Sequence, residues 1–297
     1  LLYEAACCAS IPIIRNLEEY YDNDLLESIQ GIVNGSTNYI LTKTFKDNLS
    51  YEDALKEAQE KGFAESNPIL DTGGFDAKYK LLILLAHSFG YIAKPDDLLN
   101  IGINNIGGLE LKYAREKGLK IKLVAQAFKN PDGSISAFVI PKFVDAEDRL
   151  FNVDDVFNGV ITKTSFADEQ FFVGKGAGAH PTASAVLSDI SAFSYDYQYE
   201  YKKIAQQEDL SLSDNVDLKV FLRHSVEDAV ALKKQFLNID ESYLNQESGY
   251  ITGTISLENL KNIHFDDSFD TSFVLLEVVK NVSIADENLQ LANLELA

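Results

Sequence analysis

The sequence predicts an α+β fold: a mixed sheet carrying helices up to about residue 200, then a small module of β-α-β-β-α-β texture. Three observations predict it. Helical and strand patterns alternate along the first part of the chain. Within that part, "LKIKLVAQAF" and "SISAFVIPKFV" flank "KNPDG", the punctuation of a hairpin. A polar stretch, "EYKKIAQQEDLSLSDN", then separates this part from a second series of short apolar segments and reads as a linker.

The elements follow in order. "LLYE" at the start reads as the middle of a buried strand. "ASIPII" at 9–14 reads as a turn, and "LLESIQGIV" as a strand. A Gly-Ser-Thr turn then opens a helix at Thr37 or Asn38. "NLSYEDALKEAQEKGF" predicts a helix capped by Ser50, with Asp53 at its third position, Leu55 and Ala58 on one face, and Gly62 as its stop. "DAKYKLLILLAHSFG" predicts a second helix, with Asp76 in the first turn, where a negative charge suits the dipole. "FFVGKGAGAHPTASAVLSDI" predicts an apolar strand, a glycine loop and a helix with Pro181 in its first turn. Beyond the linker, "VDLKVFLRH", "GYITGTIS" and "TSFVLLEVV" read as strands, and "SVEDAVALKKQFLN" and "LENLKN" as helices.

Composition excludes several functions. The 297 residues are 46% hydrophobic and carry a formal net charge of -20, which is wrong for a phosphate-backbone partner, so nucleic acid is not expected. The apolar run "LLILLA" is too short to span a bilayer and reads as core helix, and neither a membrane span nor a signal segment is expected. Cys7 and Cys8 are adjacent and poorly placed to bridge, which fits a reducing cytoplasm. The "LLYE" start and the absence of methionine together predict a fragment lacking its N-terminal region. Methionines omitted from the printed sequence would shorten long spacings slightly while leaving short motifs intact.

The chemistry concentrates in "KGFAESNPILDTGGFDAKYK", where Glu65, Asp71 and Asp76 precede Lys80. Two readings stand. Asp76 and Lys80, four apart on one helical face, make an ordinary ion pair worth a few tenths of a kcal/mol. Alternatively, since the helix turns strongly apolar at Leu81, Lys80 sits at a core boundary among acids. There the carboxylates hold a substrate ammonium and Lys80 exchanges a proton with an oxygen. The glycine loop before Pro181 offers backbone amides to an anion, or is a tight turn; its G-x-G-x-G spacing is not the dinucleotide fingerprint. His180 reads as a loop residue.

Four stretches carry a resemblance: "YEA" at 3–5 with "IPII" at 11–14, "GIVNGSTNYIL" at 31–41, "GFAESNPILDTGGFDAKYK" at 62–80 and "VGKGAGAHPTASAVLSDI" at 173–190. In the family's order, covering most of residues 3–195, they resemble homoserine dehydrogenase. The resemblance implies a catalytic and dimerisation domain at 1–203 and a regulatory, ACT-like domain of ferredoxin type at 213–297. It implies NAD- or NADP-dependent interconversion of L-aspartate 4-semialdehyde and L-homoserine in threonine, methionine and isoleucine biosynthesis.

Carried over by position, Lys80 is the acid/base lysine, Glu65 and Asp76 contact the substrate amine and hydroxyl, and Asp71 is a further acid of that pocket. Gly176, Gly178 and Thr182 mark the segment that touches the cofactor. Backbone carbonyls of Glu4, Cys7, Ala9 and Ile11 match a sodium or potassium site, with "ACCAS" standing where the family is glycine-rich. Phe63 stands where many relatives have tyrosine, removing one hydroxyl. The family's Rossmann domain and its Asn-Lys pair have no counterpart here.

The expected partners are the small-molecule substrate, an amino-acid effector such as threonine, and a second copy of the chain, as a homodimer or higher assembly. Residues 31–45 and the hairpin at 119–144 are expected to belong to the sheet that pairs the copies, with "KIKLVAQAF" supplying one apolar face. The rival readings are a dehydrogenase of another amino-acid semialdehyde and a non-catalytic amino-acid-binding or assembly module.

Overall fold

The computed structural model describes residues 1–23, 25–206, 210–263 and 271–279. The first residues are not a strand. Leu1 is fully exposed, and Glu4–Ala6 form a 3-10 turn. The reason is Glu4, whose buried carboxylate accepts the Ile14 and Arg15 amides, both at 2.9 Å. It thereby satisfies the start of α1 (Ile13–Glu19), a helix that stands where the sequence predicts only a turn through Ile13 and Ile14.

Strand β1 (Leu26–Ile32) leads into α2 (Gly35–Lys46), which begins two residues before the expected Thr37 because Asn34 caps it. That cap also corrects the expectation that 31–45 is sheet. Only Gly31 and Ile32 lie in β1, and the rest is loop and helix. Helix α3 (Tyr51–Glu60) is capped by Ser50, which accepts the Asp53 amide, and the chain turns at Gly62, φ +73°, as expected. A short α4 (Ile69–Thr72) precedes α5 (Phe75–Phe89), which buries Ala77, Leu81, Leu84, Leu85 and Phe89. Each large side chain among them contributes about 1.5–3 kcal/mol of apolar burial.

Then come β2 (Leu99–Asn100), α6 (Gly108–Lys117) and the expected hairpin β3 (Lys120–Lys129) and β4 (Ile135–Val144). Its register runs from Lys120 opposite Val144 to Lys129 opposite Ile135. Both faces of β3 are covered, rather than one. Ile121, Leu123, Ala125 and Ala127 join the main core, while Val124 joins a second core with Ile32, Leu150 and Ile161. Strands β5 (Phe157–Thr164) and β6 (Asp168–Lys175) precede α7 (Ala179–Phe193).

Residues 200–206, the first part of the stretch expected to be a linker, are packed down. In α8 (Lys202–Gln206), buried Lys203 donates to the Ser88 carbonyl at 2.7 Å, and Gly90 at the end of α5 lies so close that a Cβ there would sit 2.5 Å from Lys203 backbone. Glu18 Oε2 accepts the Glu200 and Tyr201 amides while Oε1 faces buried His87 at 2.5 Å. A polar composition concealed this docking because its contacts are hydrogen bonds to distant residues.

After it come β7 (Asp217–Ser225), α9 (Ala229–Lys233), β8 (Asn238–Leu244), β9 (Ser248–Ser256), α10 (Leu257–Lys261) and β10 (Ser272–Val279). Helix α9 is shorter than its sequence suggested. Strand β8 was missed because every residue in it is exposed, leaving no burial alternation to read. Residues after Val279 lie outside the described residues.

Among the described residues the strands form one ten-stranded sheet in the order β6-β5-β1-β3-β4-β10-β7-β9-β8, with β2 pairing on β4. The last four strands are antiparallel to their neighbours within that group and lie fourth-first-third-second in chain order. They join the rest through a parallel contact of β10 with β4, where Leu275 is opposite Lys142. A shared core of Ile101, Phe138 and Ile140 against Leu218, Val220 and Phe273 backs that junction.

Candidate active site

Lys80, Asp76, Asp71 and Asn34 meet where β1 ends and α5 begins. Asp71 closes α4, Gly74 takes the left-handed conformation at φ +77°, and Asp76 sits in the first turn of α5 one turn before Lys80. The loop after β2 braces that turn. Asn100 donates its amide to the Gly73 carbonyl and the Ile103 amide donates to Thr72, both at 2.7 Å. Gly102 packs so tightly that a Cβ there would lie 2.1 Å from the Thr72 carbonyl oxygen.

Lys80 Nζ donates to Asp76 Oδ2 at 2.7 Å and to the Val33 carbonyl at 3.0 Å. Burial pulls the Lys80 pKa down, but the adjacent Asp76 carboxylate outweighs it, and the ammonium is held above the ordinary lysine value. Asn34 Nδ2 donates to Asp71 Oδ1 and to Asp76 Oδ2, each at 2.7 Å. Burial and the Asp76 charge push the Asp71 carboxyl up, and the Asn34 bond and Lys80 oppose them. The bare ion-pair reading of Asp76 and Lys80 is therefore incomplete. Their contact belongs to a cluster with a second carboxylate and a buried amide.

Glu65 is exposed. Its backbone carbonyl accepts from Gln59 at 2.9 Å, and among the described residues no hydrogen bond or ion pair joins its carboxylate to the cluster. Phe63 packs on Tyr39 with ring centroids 4.9 Å apart. The sequence reading missed Asn34 as a site residue. The available signal was an amide side chain at a helix N-cap directly after a buried strand.

Gly176, Gly178 and Thr182 lie at the β6–α7 turn. A Cβ on Gly176 would meet the Asn158 amide at 2.1–2.2 Å, and Gly178 has φ +118°. The first turn of α7 has no side-chain cap, and Gly178 and Thr182 are exposed. An exposed glycine turn at an uncapped helix start is a place where an anion such as a dinucleotide phosphate can approach the backbone. His180 is exposed in the same turn. Helix α7 also presents Leu187, Ile190 and Phe193, each more than half exposed.

The loop of Glu4, Cys7, Ala9 and Ile11 is buried and bent by two consecutive left-handed residues, Cys8 at φ 58° and Ala9 at φ 37°. Burial raises the Glu4 carboxyl pKa to about 7, against the Arg15 and Ile14 amides that lower it. The Ile11 carbonyl already accepts the Ile13 amide at 2.8 Å, leaving it one lone pair. Among the described residues no group of three or more His, Cys, Asp and Glu could hold a metal, so any cation here would rest on carbonyls. Among the described residues the buried Asn158 amide behind this loop has no nitrogen or oxygen partner, and the Cys8 thiol is its polar neighbour.

Comparison with known proteins bears on this geometry. The profile of the homoserine dehydrogenase family matches residues 12–191. The chain is 43% identical over 188 residues to homoserine dehydrogenase of Helicobacter pylori, covering 63% of this chain and 44% of that protein. It is 36% identical over 190 residues to the Lactococcus lactis enzyme, covering 64% and 44% respectively. The matches thus span under half the length of these curated relatives. Among solved structures, a homoserine dehydrogenase from Thiobacillus denitrificans superposes with a TM-score of 0.77 at 28% identity, covering 93% of this chain and 69% of that one. A hyperthermophilic archaeal homoserine dehydrogenase in complex with NADPH gives a TM-score of 0.56 at 31% identity, covering 67% and 56%.

Proposed function

The chain belongs to the homoserine dehydrogenase family, and on that premise we propose that it carries the substrate-binding and proton-transfer part of an NAD- or NADP-dependent homoserine dehydrogenase. The observation that carries the reading is the Lys80 ammonium held 2.7 Å from Asp76 beside a second carboxylate, Asp71. In this reading the carboxylates of Asp76, Asp71 and Glu65 meet the substrate's ammonium and hydroxyl ends. Lys80 as the ammonium gives a proton to the aldehyde oxygen during reduction, and as the neutral amine it takes the hydroxyl proton during oxidation, a direction that rising pH therefore favours. A flexible ammonium can follow that oxygen as it changes from carbonyl to alcohol. Gly176, Gly178 and Thr182 would hold the nicotinamide cofactor, which would supply or accept the hydride when bound.

The full-length enzyme, assayed with aspartate semialdehyde and NADPH, tests this. Lys80→Ala should lower kcat by roughly two to four powers of ten with folding and cofactor binding nearly intact. Near-normal kcat would return Lys80 to the role of a helix-entry ion pair. Turnover of a different semialdehyde would indicate the sister activity, and no turnover a binding module.

Further parts of the reading have separate supports. For the division into 1–203 and 213–297, the fourth-first-third-second strand order of the second part supports an ACT-like fold there, and threonine is the proposed ligand because it is the pathway's end product. Calorimetry with threonine, methionine and isoleucine tests it, and silence for all three leaves a structural appendage. Dimerisation through the hairpin sheet predicts that sedimentation shows no monomer at micromolar concentration. A sodium or potassium ion on the Glu4–Ile11 loop predicts that activity depends on monovalent cation. No helix among the described residues is long and apolar enough to cross a membrane, which is compatible with a cytoplasmic enzyme.

A further inference from the structure

Asp71 and Asp76 come from either side of a tight turn and reach the same amide nitrogen, Asn34 Nδ2, at 2.7 Å each. A primary amide has two hydrogens, so each carboxylate receives one. Two neighbouring carboxylates repel, and the ordinary outcome is that one takes up a proton. The bridge counters this by donating to the charged form of both.

The orientation of the amide is not free. Asn34 Oδ1 accepts the Thr37 amide and the Thr37 hydroxyl, both at 2.9 Å, and the residue is buried. Turned over, it would aim its oxygen at two carboxylates and its hydrogens at two donors. The preceding carbonyl, Val33, receives Lys80 at 3.0 Å, so one dipeptide holds both acids and the lysine. A helix cap explains only half of this. Capping uses Oδ1, a task that serine performs about as well, whereas the doubly donating nitrogen serves the carboxylates alone.

We propose that Asn34 is a positioning residue, which keeps the Asp71 and Asp76 carboxylates ionised together and aimed at the ammonium group of an amino-acid substrate. The proposal rests on the functional reading above. The groups facing Asp71 are Asp76 and Lys80 from α5 and Asn34 and Ser36 from the start of α2. Without the Asn34 bond, burial and the Asp76 charge are less opposed, so Asp71 protonates at higher pH and the acid limb of the kcat/KM profile moves up.

The test compares the wild-type full-length enzyme with Asn34→Ser, Asn34→Asp and Lys80→Ala, assayed with aspartate semialdehyde and the reduced nicotinamide cofactor, the direction in which Lys80 acts protonated and its limb lies on the basic side. Asn34→Ser keeps the cap and removes the bridge. It should melt within a few degrees of wild type, raise KM for aspartate semialdehyde roughly ten- to hundredfold with a smaller loss of kcat, and shift the acid limb upward. Asn34→Asp keeps the cap and adds a third carboxylate, so its acid limb should move further. Unchanged KM and an unchanged acid limb in Asn34→Ser would overturn the proposal and leave Asn34 a cap. Should that variant fail to fold, an unshifted limb in Asn34→Asp overturns it equally. Lys80→Ala separates the two levels. If it loses turnover while Asn34→Ser behaves as wild type, the catalytic reading stands and this proposal falls. If it keeps turnover, the catalytic reading falls whatever Asn34 does.

Discussion

Arg223 Nε lies 2.6 Å from Glu110 Oε1, joining β7 of the second part to α6 of the first across 113 residues of sequence. Glu110 is fully buried, and its other oxygen accepts the Gly107 amide at 2.8 Å, while Arg223 also donates to the Asn105 carbonyl at 2.6 Å. Residues 100–103 of the same connection hold the turn that carries Asp71. Arg223→Met should therefore cost about 3–5 kcal/mol, because it leaves a buried carboxylate uncompensated. Urea unfolding measures it, and a loss below about 1 kcal/mol would mean that water reaches Glu110.

Asp76→Asn and Glu65→Gln should differ. Asp76 holds Lys80 above the ordinary lysine pKa, so its neutralisation should move the Lys80-dependent limb of the pH–rate profile to lower pH. It should also lower kcat/KM by about 2 kcal/mol or more. Glu65 makes no such bond, so Glu65→Gln should leave the melting temperature and the pH limbs in place and raise KM alone. Steady-state kinetics across pH, with melting curves, separates the two. Identical profiles would show that the two acids do the same work.

Lys122 predicts a pH dependence of stability. It is buried, and Asp154 accepts from it at 2.9 Å, while Lys120 and Lys46 converge on the same carboxylate. Burial lowers the Lys122 pKa to about 8 even though Asp154 opposes it, and the two neighbouring lysines add to the lowering. The less buried Asp154 carboxyl, which serves three ammonium groups, is held well below the usual carboxylate range. Between pH 8 and the ordinary lysine value of 10.5 the unfolded chain binds the extra proton, so this group makes stability rise with pH across that window. The contribution is on the order of 3 kcal/mol at the upper end and is lost as pH falls to 8. Lys122→Met should abolish that rise, and Asp154 keeps two partners in the variant. Chemical denaturation at pH 7.5 and 10.5 checks it, and parallel stability curves for the two proteins would refute the shift.

The sequence by itself determined the elements whose pattern is local. Period and caps marked α3 from Ser50 to Gly62, Asp76 in the first turn of α5, the β3–β4 hairpin around "KNPDG", and the glycine turn before α7. It also brought Asp76 and Lys80 to one helical face, since a spacing of four requires nothing beyond the helix itself.

Only the tertiary structure decided the rest. Asn34 lies 37 residues from Asp71 and 42 from Asp76, so no local pattern links them, and the pairing arises because β1 delivers its end beside the first turn of α5. The packed 200–206 segment, the exposed strand β8 and the Arg223–Glu110 bond were equally hidden. Periodicity reports which side of one element is buried, whereas a hydrogen bond between distant elements leaves no periodic trace in either of them.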